Sequence, residues 1–144
     1  MVRLWTGRIV GAWIVVFLAW DGAMKLLKLN MAVEGTVRVG YPARLVAVIG
    51  LVELLCVVTY ALPRTSIVGA ILLTGYLGGA AATQVRLEDP WFLLPVVIGV
   101  LAWGALWLRD PALGRLVFAT SATRRELLHP ASAFAKGFSG PPKL

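Results

Sequence analysis

Four apolar stretches dominate the chain, over about 8–27, 43–62, 66–85 and 91–108, and polar residues collect between them and after the last. A helix rises about 1.5 Å per residue, so roughly 20 mostly apolar residues cross a hydrocarbon layer about 30 Å thick. Each stretch meets that length and lacks the charged stripe of a helix in a soluble core. Membrane strands would alternate polar and apolar positions over about ten residues, and these runs do not alternate. The pattern predicts an all-α integral membrane protein.

The connections set the arrangement. Leu29 to Pro42, with Gly35 and Gly40, reads as the one long loop between spans, while Leu62-Pro63-Arg64-Thr65 and Leu87-Glu88-Asp89-Pro90 read as tight turns. Pro90 is placed to start the fourth helix. Short turns force antiparallel neighbours. The expected fold is therefore an antiparallel four-helix bundle over 1–111, ended by Arg109-Asp110-Pro111, with a basic cytoplasmic tail over 112–144. Within that tail 113–128 is expected to form an amphipathic helix and 139–142 to be disordered. Gly75, Gly79 and Thr83 make a small-residue face on the third span, with Gly78 and Ala82 beside it. Such faces let helices approach closely in lipid. The expectation is packing inside the chain, which makes this span the central plank; a homo-oligomer seam through Gly75 and Gly79 is the alternative.

Composition sharpens the class. The chain is 59% hydrophobic and 15% charged, against roughly 25% charged residues in soluble domains. Arg3 and Arg8 ahead of an apolar run resemble a signal peptide, yet Trp20 and Asp21 stand where small residues would mark cleavage, and Lys25 and Lys28 follow. A retained helix with snorkelling basic ends fits better. Nine of the fourteen basic residues fall with the two termini and the second loop, and five on the other side. The positive-inside rule puts both termini in the cytoplasm. The net charge of +7 comes without a basic face interleaved with aromatics, so no nucleic acid partner is expected. Cys56 is the only cysteine, which excludes an intramolecular disulfide and the paired-cysteine chemistry of four-helix quinone reductases. It reads as a small buried hydrophobe. His129 lies in the tail without a ligand cluster, and no metal is expected.

Polar residues at depth are the candidates for chemistry. Glu53 lies ten residues after Ala43, about 15 Å below the outer surface and near the midplane. An ionised acid there costs at least about 2.5 kcal/mol, so it must be protonated, hydrogen-bonded or paired with another helix. Asp21 lies about 10 Å deep from the same side, and Lys25 sits one turn above it on the same face. Thr83, Gln84 and Arg86 end the third span at that level. Trp13, Trp20, Tyr76 and Trp103 are candidate aromatic walls, while Trp5, Trp91 and Trp107 read as interfacial anchors. Asp21, Lys25, Glu53 and Gln84 are expected to share one cavity opening to the non-cytoplasmic side.

Five pieces of sequence in fixed order, Asp21-Gly22-Ala23-Met24-Lys25-Leu26, Gly40-Tyr41-Pro42, Gly50-Leu51-Val52-Glu53-Leu54, Gly78-Gly79-Ala80-Ala81-Ala82-Thr83 and Trp103 to Arg109-Asp110-Pro111, resemble the DoxX-like family from Ile9 to about Pro111. The resemblance implies a small four-helix protein of the cytoplasmic membrane, similar to quinone-linked redox subunits or to partners in redox or assembly complexes. Where many members carry histidine after the threonine of the third-span motif, this chain has Gln84.

Three functional classes follow. One is a small membrane enzyme or redox-complex subunit, an oxidoreductase subunit or isomerase, acting by proton transfer on a lipophilic molecule such as a quinone or isoprenoid. Asp21, Glu53 and Lys25 would be catalytic, and Trp13, Trp20, Tyr76, Thr83, Gln84, Arg86 and Trp103 would bind substrate. Quinone is the candidate cofactor. The second is a proton-coupled small multidrug exporter, disfavoured by the charge bias and the long first loop. The third is a non-catalytic membrane partner or assembly protein.

Overall fold

The computed structural model describes residues 2–109 and, beyond them, Leu113. The helix expected over 113–128, the disorder expected over 139–142 and His129 lie outside the described residues. All regular structure that is described is helical: α1 (Val2–Leu26), α2 (Asn30–Arg38), α3 (Val46–Ala61), α4 (Ser66–Arg86) and α5 (Leu93–Arg109). Single 3₁₀ turns, Ala43–Leu45 and Pro90–Phe92, lead into α3 and α5. With those turns included, α1, α3, α4 and α5 are, among the described residues, the four helices long and apolar enough to cross a membrane.

Burial follows one stripe per span. On α1 it runs through Gly7, Gly11, Ile14, Leu18 and Gly22, and on α3 through Val46, Gly50, Glu53, Val57 and Tyr60. These steps of three and four are those of one helix face turned inward. The opposite faces are apolar as well, and Val16, Leu55, Ile71 and Val100 are all largely exposed. Only lipid can cover an apolar surface that surrounds the whole bundle.

The spans form a ring in the order α1, α3, α4, α5, closed by α5 against α1. The backbones of the two diagonal pairs stay apart. Each diagonal is instead bridged by a tyrosine hydroxyl. Tyr60 on α3 donates to the Ala102 carbonyl of α5 at 2.9 Å, and Tyr76 on α4 accepts from Lys25 of α1 at 3.2 Å. The expectation that the third span is a central plank is therefore corrected: α4 is one side of a ring.

The expected packing role of Gly75 and Gly79 is also corrected. A Cβ added at Gly75, Gly78 or Gly79 would meet nothing within 4 Å. Close approach occurs at other glycines. A Cβ at Gly50 would lie 2.6 Å from the Gly22 carbonyl oxygen and 2.7 Å from Lys25 Cβ, one at Gly7 would lie 2.8 Å from Leu108 Cβ, and one at Gly69 would collide with the Tyr60 backbone. In lipid, association rests on dispersion and polar contacts, so missing side chains bring α1 onto α3, α1 onto α5 and α3 onto α4.

The segment expected as a loop contains α2, which packs on α1 and α3 and buries Thr36. Both α1 and α4 end here in a left-handed residue, Lys28 (φ 52°) and Glu88 (φ 54°). In each the next backbone N–H reaches back to the helix, Leu29 to Met24 and Asp89 to Gln84, a turn that satisfies carbonyls left open at a helix end. Pro90 starts its helix as expected, and the Asp89 carboxylate caps it by accepting from the Trp91 N–H at 3.1 Å. Cys56 is buried, in line with a packing role.

These contacts predict opposite outcomes for one chemical change. Gly50→Ala and Gly69→Ala should each destabilise the bundle by about 1–3 kcal/mol, because the added methyl must push backbones apart. Gly75→Ala and Gly79→Ala should leave the melting temperature unchanged or raised, since they fill open space and favour helix. Thermal unfolding of the four variants in one detergent decides; a destabilised Gly79→Ala would restore this face as a packing seam.

Candidate functional site

Lys25 lies in the last turn of α1 because the left-handed turn at Lys28 stops that helix. A helical side chain leans toward its own N-terminus, so the ammonium hangs back into the bundle rather than out to solvent. There its three protons meet three acceptors: Asp21 Oδ2 at 2.6 Å, Glu53 Oε2 at 2.9 Å and Tyr76 Oη at 3.2 Å. Tyr76 in turn donates to Glu53 Oε2 at 2.7 Å. One cluster thus joins α1, α3 and α4.

Its members differ in exposure. The Glu53 side chain is fully buried, Lys25 is 17% exposed and Asp21 is 44% exposed. Glu53 occupies the inward stripe of α3 between Gly50 and Val57, which places its carboxylate inside the ring by helical register alone. Oε2 carries both hydrogen bonds, and Oε1 is buried without a partner. Two carboxylates face one ammonium, so a single proton brings the cluster to neutrality. The acid whose cation was not evident in the local sequence is paired with the neighbouring span, as the energetics of charge in lipid require.

Beside the cluster opens a cavity of about 540 Å³ between α2, α3 and α4. Lys25 and Tyr76 stand at its inner wall, Val48, Ile49 and Val52 of α3 form an apolar side, and Gly75, Gly79 and Ala80 leave the facing side of α4 without bulk. Tyr41, Thr83 and Gln84 complete its polar border. The glycines expected to pack helices instead make room.

Of the expected site residues, Asp21, Lys25, Glu53 and Tyr76 form the cluster, and Lys25, Tyr76, Thr83 and Gln84 line the cavity. Four expected binding residues stand elsewhere. Trp13 and Trp20 are 55% and 70% exposed on the outer face of α1, with Trp13 stacked on Phe17. Trp103 is turned to α4, where its indole N–H donates to Thr74 Oγ1 at 2.8 Å. Arg86 does not line the cavity, and its guanidinium lies beside Gly40. Aromatic identity suggested a wall, but helical phase directs these rings outward or to a neighbouring span.

Tyr41, Thr36, Gly35 and Val39 line the cavity and were not expected to. They belong to α2 and the turn after it, read from sequence as loop. Asn30–Arg38 carries Ala32, Val33 and Thr36 at steps of one and three, a signal too short to separate a helix from an irregular connection.

The cluster predicts a coupled stability effect. Lys25→Met leaves two carboxylates without their cation, one of them fully buried, and should destabilise the protein by about 3–5 kcal/mol. Adding Glu53→Gln to that variant should recover most of the loss in equilibrium unfolding in mixed micelles. An equal loss in the single and double variants would reduce Lys25 to a packing role.

The model of the DoxX-like family matches residues 9–105, a segment that holds the whole cluster and every residue lining the cavity. No protein of curated function and no solved structure matches the chain. The chain belongs to the DoxX-like family and is a membrane protein with four candidate spans.

Proposed function

We propose that the chain binds a lipophilic small molecule, quinone- or isoprenoid-like, in the cavity between α2, α3 and α4, and that Glu53 exchanges a proton with it or with water there. The protein then acts as a small membrane enzyme or redox-complex subunit. One observation carries this reading: a buried acid, hydrogen-bonded by a lysine and a tyrosine, stands behind the wall of a cavity that is apolar along α3 and bordered by a few polar groups. Ligand sites have this make-up, concave and apolar with a few convergent polar groups, and 540 Å³ falls within their usual range of about 300–1,000 Å³.

Roles follow from position. Glu53 holds the exchangeable proton, with Oε1 unpartnered. Tyr76 and Lys25 both touch Glu53 Oε2 and reach the cavity, so they relay a proton between the acid and a bound molecule. Asp21 touches only Lys25 among the cluster's hydrogen bonds and holds the ammonium in place. The charge distribution supports a cytoplasmic membrane with both termini inside. With Lys25 committed to ion pairs, four basic residues remain on the α2 side against nine on the other. The cavity then opens toward the non-cytoplasmic face.

Two variants test this reading in nanodiscs, with a decyl-substituted benzoquinone and its hydroquinone, and farnesol, as probes. Gly79→Leu extends a side chain into the cavity from a position where its Cβ meets nothing within 4 Å. It should abolish binding without lowering the melting temperature. Glu53→Gln keeps the side chain's shape but removes the titrating proton, so binding should persist while turnover, assayed as quinone reduction by an added two-electron reductant or as probe conversion, falls by about 10²-fold or more. A fully active Glu53→Gln protein with unaltered pH dependence rejects the catalytic role and leaves a scaffolding protein.

A further inference from the structure

When a lipophile fills the cavity it displaces water, and every polar group left facing it must be satisfied by the protein or by the ligand. Lys25 spends its three protons on Asp21, Glu53 and Tyr76, and Tyr76 spends its own on Glu53. Thr36 donates to the Ala32 carbonyl at 2.7 Å and Thr83 to the Gly79 carbonyl at 2.9 Å. Since the single Thr83 proton is used there, the 3.2 Å contact between Tyr41 Oη and Thr83 Oγ1 is donated by Tyr41. The hydroxyl and ammonium protons of the lining are therefore all committed to the protein itself.

Gln84 is the exception. Its Oε1 is shut away inside the protein, so the end of the amide turned to the cavity is the N–H₂. That group carries two protons and makes no hydrogen bond among the described residues. Along α3 the lining side chains are Val48, Ile49 and Val52, which accept nothing. Gln84 thus offers the one side-chain donor of the lining that a bound molecule can use.

We propose that Gln84 anchors the head group of the ligand: its N–H₂ donates to an acceptor oxygen, such as a ketone or ester carbonyl, while the apolar body lies along Val48, Ile49 and Val52. This rests on the reading of the cavity as a lipophile site and adds the contact that orients the ligand within it. A lipophile without an acceptor strands the amide protons once water is displaced, and a site holding an unpaired donor discriminates against such an analogue. A hydroxyl oxygen also accepts, so the selection is for an acceptor and is indifferent to a hydroxyl proton.

The test uses the full chain in nanodiscs and a matched pair of probes, para-octylacetophenone and the alkene in which its C=O is replaced by C=CH₂. The two share shape and apolar body and differ in the acceptor. Affinities come from titration calorimetry, corrected for partition of each probe into empty nanodiscs. The ketone should bind about three- to tenfold tighter than the alkene, the worth of one neutral hydrogen bond. Gln84→Met and Gln84→Leu, which lack a donor, should each bring that ratio near one while the alkene still binds. Thr36→Val, which removes a proton already spent on the Ala32 carbonyl, should keep the native ratio. Equal affinity of the two probes for the native chain overturns the anchor while leaving the lipophile site standing. A ratio that survives in a folded Gln84→Met or Gln84→Leu protein, or that is lost in Thr36→Val as well, overturns the assignment to Gln84. Binding of neither probe, with the native protein folded, overturns both the anchor and the lipophile site.

Discussion

The ammonium of Lys25 is where the three parts of this protein meet. It ties α1 to α3 through Glu53 and α1 to α4 through Tyr76, across a ring whose diagonals have no backbone contact. The acid it serves is fully buried with no water shell to fall back on, and the lysine itself keeps only a small exposed fraction. Each makes the other admissible, so the position of one helix fixes that of the next. The approach has to be close. Gly22 and Gly50 provide it, since a side chain at Gly50 would strike the Gly22 carbonyl and the stem of Lys25 itself. Charge pairing and glycine packing on the α1/α3 seam are thus one constraint, and loosening the seam would lengthen the ion pair.

The glycines divide into two uses that a residue count does not distinguish. Gly7, Gly22, Gly50 and Gly69 bring backbones together, and Gly75 and Gly79 keep a cavity open. All sit in apolar helices. What separates them is phase: the first group falls on the inward stripes, while Gly75 and Gly79 lie to one side of the Gly69, Leu73 and Leu77 stripe, turned toward α2. Leu73 and Leu77 hold α4 in the ring, so its glycine face can stay empty without loss of cohesion.

This division marks what the sequence made legible. Span number, helix ends near 26, 61, 86 and 109, antiparallel order and the inward direction of Glu53 all follow from length, turns and the cost of charge in lipid. The pairing of Asp21 with Lys25 follows from helix spacing. The lysine's second partner was hidden, because reaching Glu53 depends on which span neighbours α1 and on how far the lysine stem leans back. The small-residue face was visible but its occupant was not, since the same pattern suits a helix, a second copy or a ligand. Trp13 and Trp20 were misplaced for a related reason: in a lipid-facing protein both faces of a helix are apolar, and hydrophobic phase no longer tells inside from outside. Tyr41 was lost with α2, nine residues that hold together only because the bundle end receives them.

Gln84 connects these features to the chemistry proposed. Where the resemblance implies histidine in many members, this chain carries Gln84; histidine holds and releases a proton in the neutral range. Glutamine keeps the acceptor and the length but cannot titrate, so any proton traffic at this cavity falls to Glu53 behind Tyr76. That separates two tasks a histidine would combine. In the proposed site Gln84 lies on the polar border of the cavity, and the proton is handled at the Tyr76 and Lys25 wall, which also holds the bundle together. A change at Gln84 leaves the ion pair on which the fold depends untouched, whereas any change at Glu53 bears on stability and, in the proposed site, on chemistry at once.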